Sequence, residues 1–216
     1  MRGQLRTAIL REPYRLFFPL GILFGLMGIG HWFLYSVGWL PTYSVYFHSF
    51  LQVHVYLGCF VAGFLFTSIP RFSGAHHANA VEVLSMMVIL ISIFTFLALG
   101  IWLGASISYL AFLISIGRFM VTRFRKEMAS KEPAEFVWLP MGILHGIIGT
   151  LIYIAARLRW TPVWMFEVGN EMTELGFILC VVLGIGGFLG PRLMGRQKLF
   201  IRPMEGNTLE RIAFVR

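Results

Sequence analysis

The chain has 216 residues, of which 57% are hydrophobic, 16% aromatic and only 13% charged. Soluble domains run near 45–50% apolar and about 25% charged, so this composition excludes a water-coated fold, and it is equally unlike a disordered chain. With a mean hydropathy of +0.76 and roughly 20 apolar residues needed per membrane crossing, the length fits an all-α polytopic membrane protein. The expectation is a six-helix transmembrane bundle with short connections, one membrane domain over residues 1–216. The net charge of +8 is a common mark of nucleic-acid binding. In a membrane chain, Lys and Arg instead collect in cytoplasmic loops, so lipid and not nucleic acid is the expected partner.

Arg2, Arg6, Arg11 and Arg15 precede a first apolar run over 16–40. That run is too long for a signal-peptide core and lacks a small-residue cleavage site, so it reads as a retained helix. Further runs cover 44–70, 83–103, 105–121, 136–156 and 173–191. If the N-terminus is cytoplasmic, the loops 71–82 and 122–135 and the C-terminal tail share its side. All of the 18 Lys and Arg then lie inside except Arg157 and Arg159. Trp39, Trp102, Trp160 and Trp164 fall at the opposite boundary, where indoles favour the headgroup zone. Both signals place both termini in the cytoplasm.

The segment 157–172 reads as the one sizeable outer loop. Glu167, Glu171 and Glu174 recur at i, i+4 and i+7, which on a helix gives one solvated face near the positive end of the sixth span. Gly21, Gly25 and Gly28 in the first run, and Gly184, Gly186, Gly187 and Gly190 in the sixth, have the spacing that lets helix backbones approach closely in lipid. A short echo links Gly63-Phe64-Leu65 and Pro70-Arg71-x-x-Gly74 to Gly187-Phe188-Leu189 and Pro191-Arg192-x-x-Gly195, each marking an inner helix end. Cys59 and Cys180 sit in apolar runs without a CxxC partner and read as packing residues.

Four of the six histidines, His31, His48, His54 and His145, fall inside the predicted spans. Ionisable side chains there are costly and mark function by default, and histidine is the commonest metal ligand. At about 1.5 Å rise per residue, His48 lies roughly 6 Å and His31 some 13 Å below the outer ends of their runs. By the same rise His54 and His145 lie about 13–15 Å in, a candidate pair at one level with His31 and His48 above. His48 and His54 are about 120° apart around an unbroken helix, so they serve two sites or one site and a hydrogen-bonding role. Gly142, Gly146 and Gly149 form a strip beside His145, with Met141 one turn earlier. Such a strip would receive a haem macrocycle with His/His or His/Met axial ligands; helix packing on the same glycines is the alternative. The absence of CxxCH excludes covalent c-type haem. His76 and His77 read as solvent-facing loop residues.

The stretch Glu12-Pro13-Tyr14-Arg15-Leu16-Phe17-Phe18-Pro19-Leu20-Gly21 resembles the opening of the NnrS family. The block from His48 through Gly63-Phe64-Leu65-Phe66-Thr67-Ser68-Ile69-Pro70-Arg71-Phe72-Ser73-Gly74 resembles that family's second-span signature, and Gly187-Phe188-Leu189-Gly190-Pro191-Arg192 resembles a later segment. The resemblance implies a bacterial inner-membrane protein holding haem and copper and acting in nitric oxide metabolism or the response to nitrosative stress. Family members carry His-x-His-Glu-Met from the position of His48, where this chain continues Ser49-Phe50-Leu51-Gln52, so His48 alone carries over. They also have about twice as many spans, which makes this a half-length relative expected to work as a homodimer or with a second half-length membrane protein. The candidate ligands are His48, His54 and His145 for haem, and His48 and His31 for copper. The competing functions are a proton-coupled transporter, in which membrane histidines relay protons, and a structural membrane subunit.

Overall fold

The computed structural model describes residues 2–124 and 134–195, and all regular structure among them is helical. After a short helix Arg2–Arg11, six helices are long and apolar enough to cross a membrane: Tyr14–Ser36, Val45–Ser73, Ala80–Ala98, Trp102–Phe124, Ala134–Arg157 and Met165–Leu193. The chain is therefore a multi-pass membrane protein. Consecutive spans pair as three hairpins, and the second, the most buried of the six, touches the first, third and fourth. The fourth passes the core on to the fifth. Arg11, Arg15, Arg71, Arg118, Arg123 and Arg192 lie toward one end of the bundle, and Trp39, Trp102, Trp160 and Trp164 toward the other. The expected loop 122–135 lies largely outside the described residues, as does the chain beyond residue 195.

Span boundaries depart from the hydropathy runs where local hydrogen bonding overrides apolarity. The third span starts at Ala80 because Asn79 caps it: its side chain accepts from the Glu82 N–H and the Glu82 carboxylate accepts from the Asn79 N–H, each at 2.9 Å. This reciprocal cap satisfies two otherwise orphaned donors. The same span stops at Ala98, short of residue 103, where Gly100 turns to φ +71° and the Ile101 N–H bonds back to Phe96. The first span ends at Ser36 rather than 40, with Gly38 at φ +77°. The sixth begins at Met165, so 165–172, expected as loop, are helical. Pro70 and Pro191 sit inside the final turns of their helices, which run on to Ser73 and Leu193 and end at left-handed Gly74 and Gly195.

In lipid there is no hydrophobic force between helices, so packing depends on close approach. The first span presents Gly21, Gly25 and Gly28 to Cys59, Tyr56 and Gln52 of the second, and a methyl group on Gly25 would lie 2.8 Å from the Tyr56 ring. The seam is also bonded: Gln52 Nε2 donates to the Gly25 carbonyl at 2.9 Å. The two most distinctive sequence blocks meet along it. The Tyr14 N–H donates to Thr67 Oγ1 at 3.2 Å, Phe17 and Phe18 cover Gly63, and Glu12 is ion-paired to both Arg15 and Arg71.

Toward the arginine-rich end, all six spans converge. Phe17 meets Phe66 edge-on at 6.1 Å, Phe66 stacks on Phe119 at 4.0 Å, and the Arg123 guanidinium lies 3.5 Å over the Phe119 ring. Arg123, only 1% exposed, then donates to both Glu82 carboxylate oxygens, at 2.9 and 2.7 Å. Phe188 of the sixth span packs on Phe72 at 4.6 Å and on Phe136 at 5.1 Å, and Arg192 covers Phe188. The fifth and sixth spans approach most closely where Gly149 faces Gly169, since a methyl group on Gly169 would fall 2.5 Å from the Tyr153 backbone nitrogen.

Gly169→Ala should lower the stability of the folded bundle by about 1–3 kcal/mol, the usual cost of overpacking, because backbone rather than a flexible side chain occupies the space. Unfolding in mild detergent measures it. Glu82→Ala should cost about 3 kcal/mol by leaving a buried guanidinium unpaired, with Glu82→Gln falling between it and wild type in the same assay. Glu12 lies outside the spans, and its hydrogen bond from Arg15, with Arg71 beyond, holds its carboxyl below the usual value of 4.5. A carboxyl depressed on folding stabilises above its unfolded pKa and loses that contribution as pH falls through its folded one. The stability gap between wild type and Glu12→Gln should therefore be present at neutral pH and close in acid.

Candidate functional site

The four membrane histidines occupy three separate environments. His31 and His48 sit toward the tryptophan-rich end, around Tyr43 in the link between the first two spans. The His31 ring lies 5.3 Å from Tyr43 and 4.8 Å from Phe47, and Tyr43 lies 6.1 Å from His48. His48 Nδ1 is 3.0 Å from the Gly28 carbonyl oxygen. A carbonyl can only accept, so Nδ1 carries the proton and Nε2 keeps its lone pair, the arrangement by which proteins fix a ligating imidazole. His31 Nδ1 is buried without a partner. Both rings are half-buried, and the pair is the one place where two of these four histidines share a neighbourhood.

His54 is enclosed. It falls in a π-helical turn, Leu51–Tyr56, within the second span, and is 3% exposed. Its ring stacks on Phe50 at 4.0 Å and meets the edge of Tyr109 at 4.4 Å. His54 Nδ1 lies beside the Phe50 carbonyl but lacks hydrogen-bond geometry, and the Tyr109 hydroxyl is also buried without a partner. Next to them is a space of about 10 Å³, bordered by Ser106, Thr150, Tyr153 and Thr173 as well. The sixth span carries a second π turn, Met172–Gly176, at the same space. Glu174 belongs to that turn and is half-buried, while Glu167 and Glu171 stay exposed. The three glutamates expected on one solvated face are thus divided by the extra residue of the π turn.

His145 faces outward. Its Nδ1 bonds the Met141 carbonyl at 2.8 Å, which again leaves Nε2 free, and the ring rests against Gly176. Met141, Leu144 and Ile148 around it are exposed, and so are Leu175 and Leu179 on the sixth span. The glycine strip beside it is filled by neighbouring helices: Gly142 by Cys180 and Phe177, Gly146 by Leu113, Gly149 by Met172 and Gly169. Of the two sequence readings of that strip, helix packing is the one found. His145, expected as the partner of His54 at one level, does not line the space beside His54, where the fifth span contributes Thr150 and Tyr153. His76 and His77 are exposed, and Cys59 and Cys180 are buried free thiols.

These environments decide what each histidine can hold. A space of about 10 Å³ beside His54 admits one water-sized molecule and no haem. The filled glycine strip admits no haem either. His31 and His48 offer two imidazoles suited to copper. Among the described residues no group of three or more His, Cys, Asp or Glu could hold a metal ion, so an ion there would complete its coordination from elsewhere. His145 offers one oriented imidazole to an apolar outer surface.

Sequence reasoning missed Tyr43, Tyr109 and Arg157. The Arg157 guanidinium lies 5.0 Å from the Tyr46 ring and 4.7 Å from that of Trp102, and donates to the Tyr153 hydroxyl. An isolated aromatic in an apolar run carries no signal of this role. Arg157 was visible as an exception to the charge split, but its aromatic enclosure was not.

The fold and these positions define a six-span helical membrane protein with oriented histidines at two depths. The family model described as NnrS protein matches residues 8–215, and the chain belongs to the NnrS family. Comparison with curated proteins and with solved structures returns no match.

Proposed function

We propose that this chain is a haem- and copper-holding inner-membrane protein of the bacterial response to nitric oxide, with the arginine-rich end and both termini in the cytoplasm. The observation that carries the reading is the family match over nearly the whole chain. Two features of the side chains support it. His48, the position that carries the family resemblance, has its Nδ1 tied to a backbone carbonyl and shares Tyr43 as a neighbour with a second imidazole, His31. His145 is tied in the same way at an apolar outer face.

In this reading His48 and His31 would hold copper, and His145, at the apolar outer face, would hold haem. Copper and haem would supply one-electron chemistry and a position for a small ligand. The protein's own part is to fix both imidazole tautomers and to keep water from the His145 surface. That surface needs a cover, because an imidazole facing lipid at membrane depth is costly. A second copy, or a second half-length membrane protein, provides it.

Visible absorption and metal analysis of the purified protein test the reading. His145→Ala should remove or shift the Soret band, and His48→Ala should lower bound copper while sparing that band. Protein that contains neither group after growth with ample haem and copper would overturn the assignment. Reporter fusions at Ala75 should behave as cytoplasmic and those at Val163 as external; the reverse would invert the sidedness.

A further inference from the structure

The small space between His54 and Tyr109 is used by none of this chemistry, yet it is a markedly polar point in the bundle. Four spans meet there, contributing His54 from the second, Ser106 and Tyr109 from the fourth, Thr150 from the fifth and Thr173 from the sixth. His54 and Tyr109 are 3% and 1% exposed and both border the space, where the buried Tyr109 hydroxyl has no hydrogen-bond partner. Leaving such a group unsatisfied in a core costs about 1–3 kcal/mol. A small molecule in the space that accepts from the Tyr109 hydroxyl would offset that cost.

The hydroxyl pattern identifies the occupant. Ser106 Oγ donates to the Trp102 carbonyl at 3.0 Å, Thr150 Oγ1 to Gly146 at 2.7 Å and Thr173 Oγ1 to Gly169 at 2.7 Å. The hydroxyl hydrogens of these three residues are therefore spent on their own helices, leaving oxygen lone pairs, while Tyr109, Tyr153 and Asn170 add O–H and N–H groups to the lining. A ligand must donate to those oxygens and accept from the Tyr109 O–H. An anion would meet the lone pairs of Ser106, Thr150 and Thr173, and an apolar diatomic molecule would satisfy nothing. A metal ion lacks its ligands among the described residues. The room, about 10 Å³, is that of a single water, which has two donors and two acceptors. The two π turns are a further sign of a specialised site, since such turns recur where a helix is bent to function.

We propose that this space is an internal water site in which one ordered water accepts from the Tyr109 hydroxyl and bridges it to His54 and the inward oxygens of Thr150 and Thr173. The water ties the second and fourth spans to the fifth and sixth. His54 on this account is a neutral water-holding residue, not an axial ligand.

X-ray hydroxyl-radical footprinting of the full chain in lipid nanodiscs tests the site, because radicals formed at a bound water mark the residues that touch it. Tyr109 should be modified several-fold more than Phe17, which is equally buried but remote from the space. Its label should exchange slowly after transfer into heavy-oxygen water. In the isosteric Thr150→Val/Thr173→Val variant, which removes two inward oxygens at constant shape, Tyr109 labelling should fall to the Phe17 level. Wild-type Tyr109 labelling no higher than Phe17 means a dry space and overturns the proposal. Equal labelling in wild type and variant overturns it too, by showing that solvent reaches Tyr109 without this site. The measurement needs no bound cofactor, so its failure is distinct from failure of the haem and copper assignments.

Discussion

Helices in lipid are held together by contact rather than pressed together by water, and in this bundle the closeness of backbones decides which polar groups can reach one another. Gly25 and Gly28 bring the second span near enough for Gln52 and His48 to bond carbonyls of the first. Those bonds need main chain within reach of a short side chain. A methyl group on either glycine would interpose itself. The orientation of His48 is thus a by-product of a packing seam. The opposed Gly149 and Gly169 do the same for the fifth and sixth spans, bringing Thr150 and Thr173 to one space.

The arginine-rich end shows how the same bundle handles charge. Glu82 caps its helix and also receives the buried Arg123, so one carboxylate serves a helix terminus and an ion pair. The aromatic column from Phe17 through Phe66 to Phe119 continues into that guanidinium. Three sequence blocks far apart in the chain, around Glu12, Arg71 and Arg192, are neighbours here. Their distinctiveness in the sequence has a packing cause: Glu12 meets Arg71, and Arg192 lies 5.7 Å from the Phe72 ring.

Histidine chemistry is distributed instead of pooled. The enclosed ring of His54 has no route for a large ligand, whereas the tied rings of His48 and His145 each leave a nitrogen free toward an outer surface. Enclosure and access are opposite demands, and the π turn that seats His54 among aromatic rings meets the first alone.

The sequence alone determined the solvent of this protein, its all-helical class, its six spans and the separation of arginine from tryptophan ends. Those features depend on composition and on run length, which are additive along the chain. It also supplied the glycine seam of the first span, because a four-residue spacing acts over a single helix face. Tertiary structure decided what spacing cannot carry. Hydropathy could not see the Asn79 cap or the turn at Gly100, since both are set by individual hydrogen bonds. Depth along a helix placed His54 and His145 at one level, but level says nothing of direction. The π turns at Leu51–Tyr56 and Met172–Gly176 each insert a residue and so rotate the rest of their helices. That rotation turns Glu174 away from the face of Glu167 and Glu171, and only the packing of six helices together fixes where it leads.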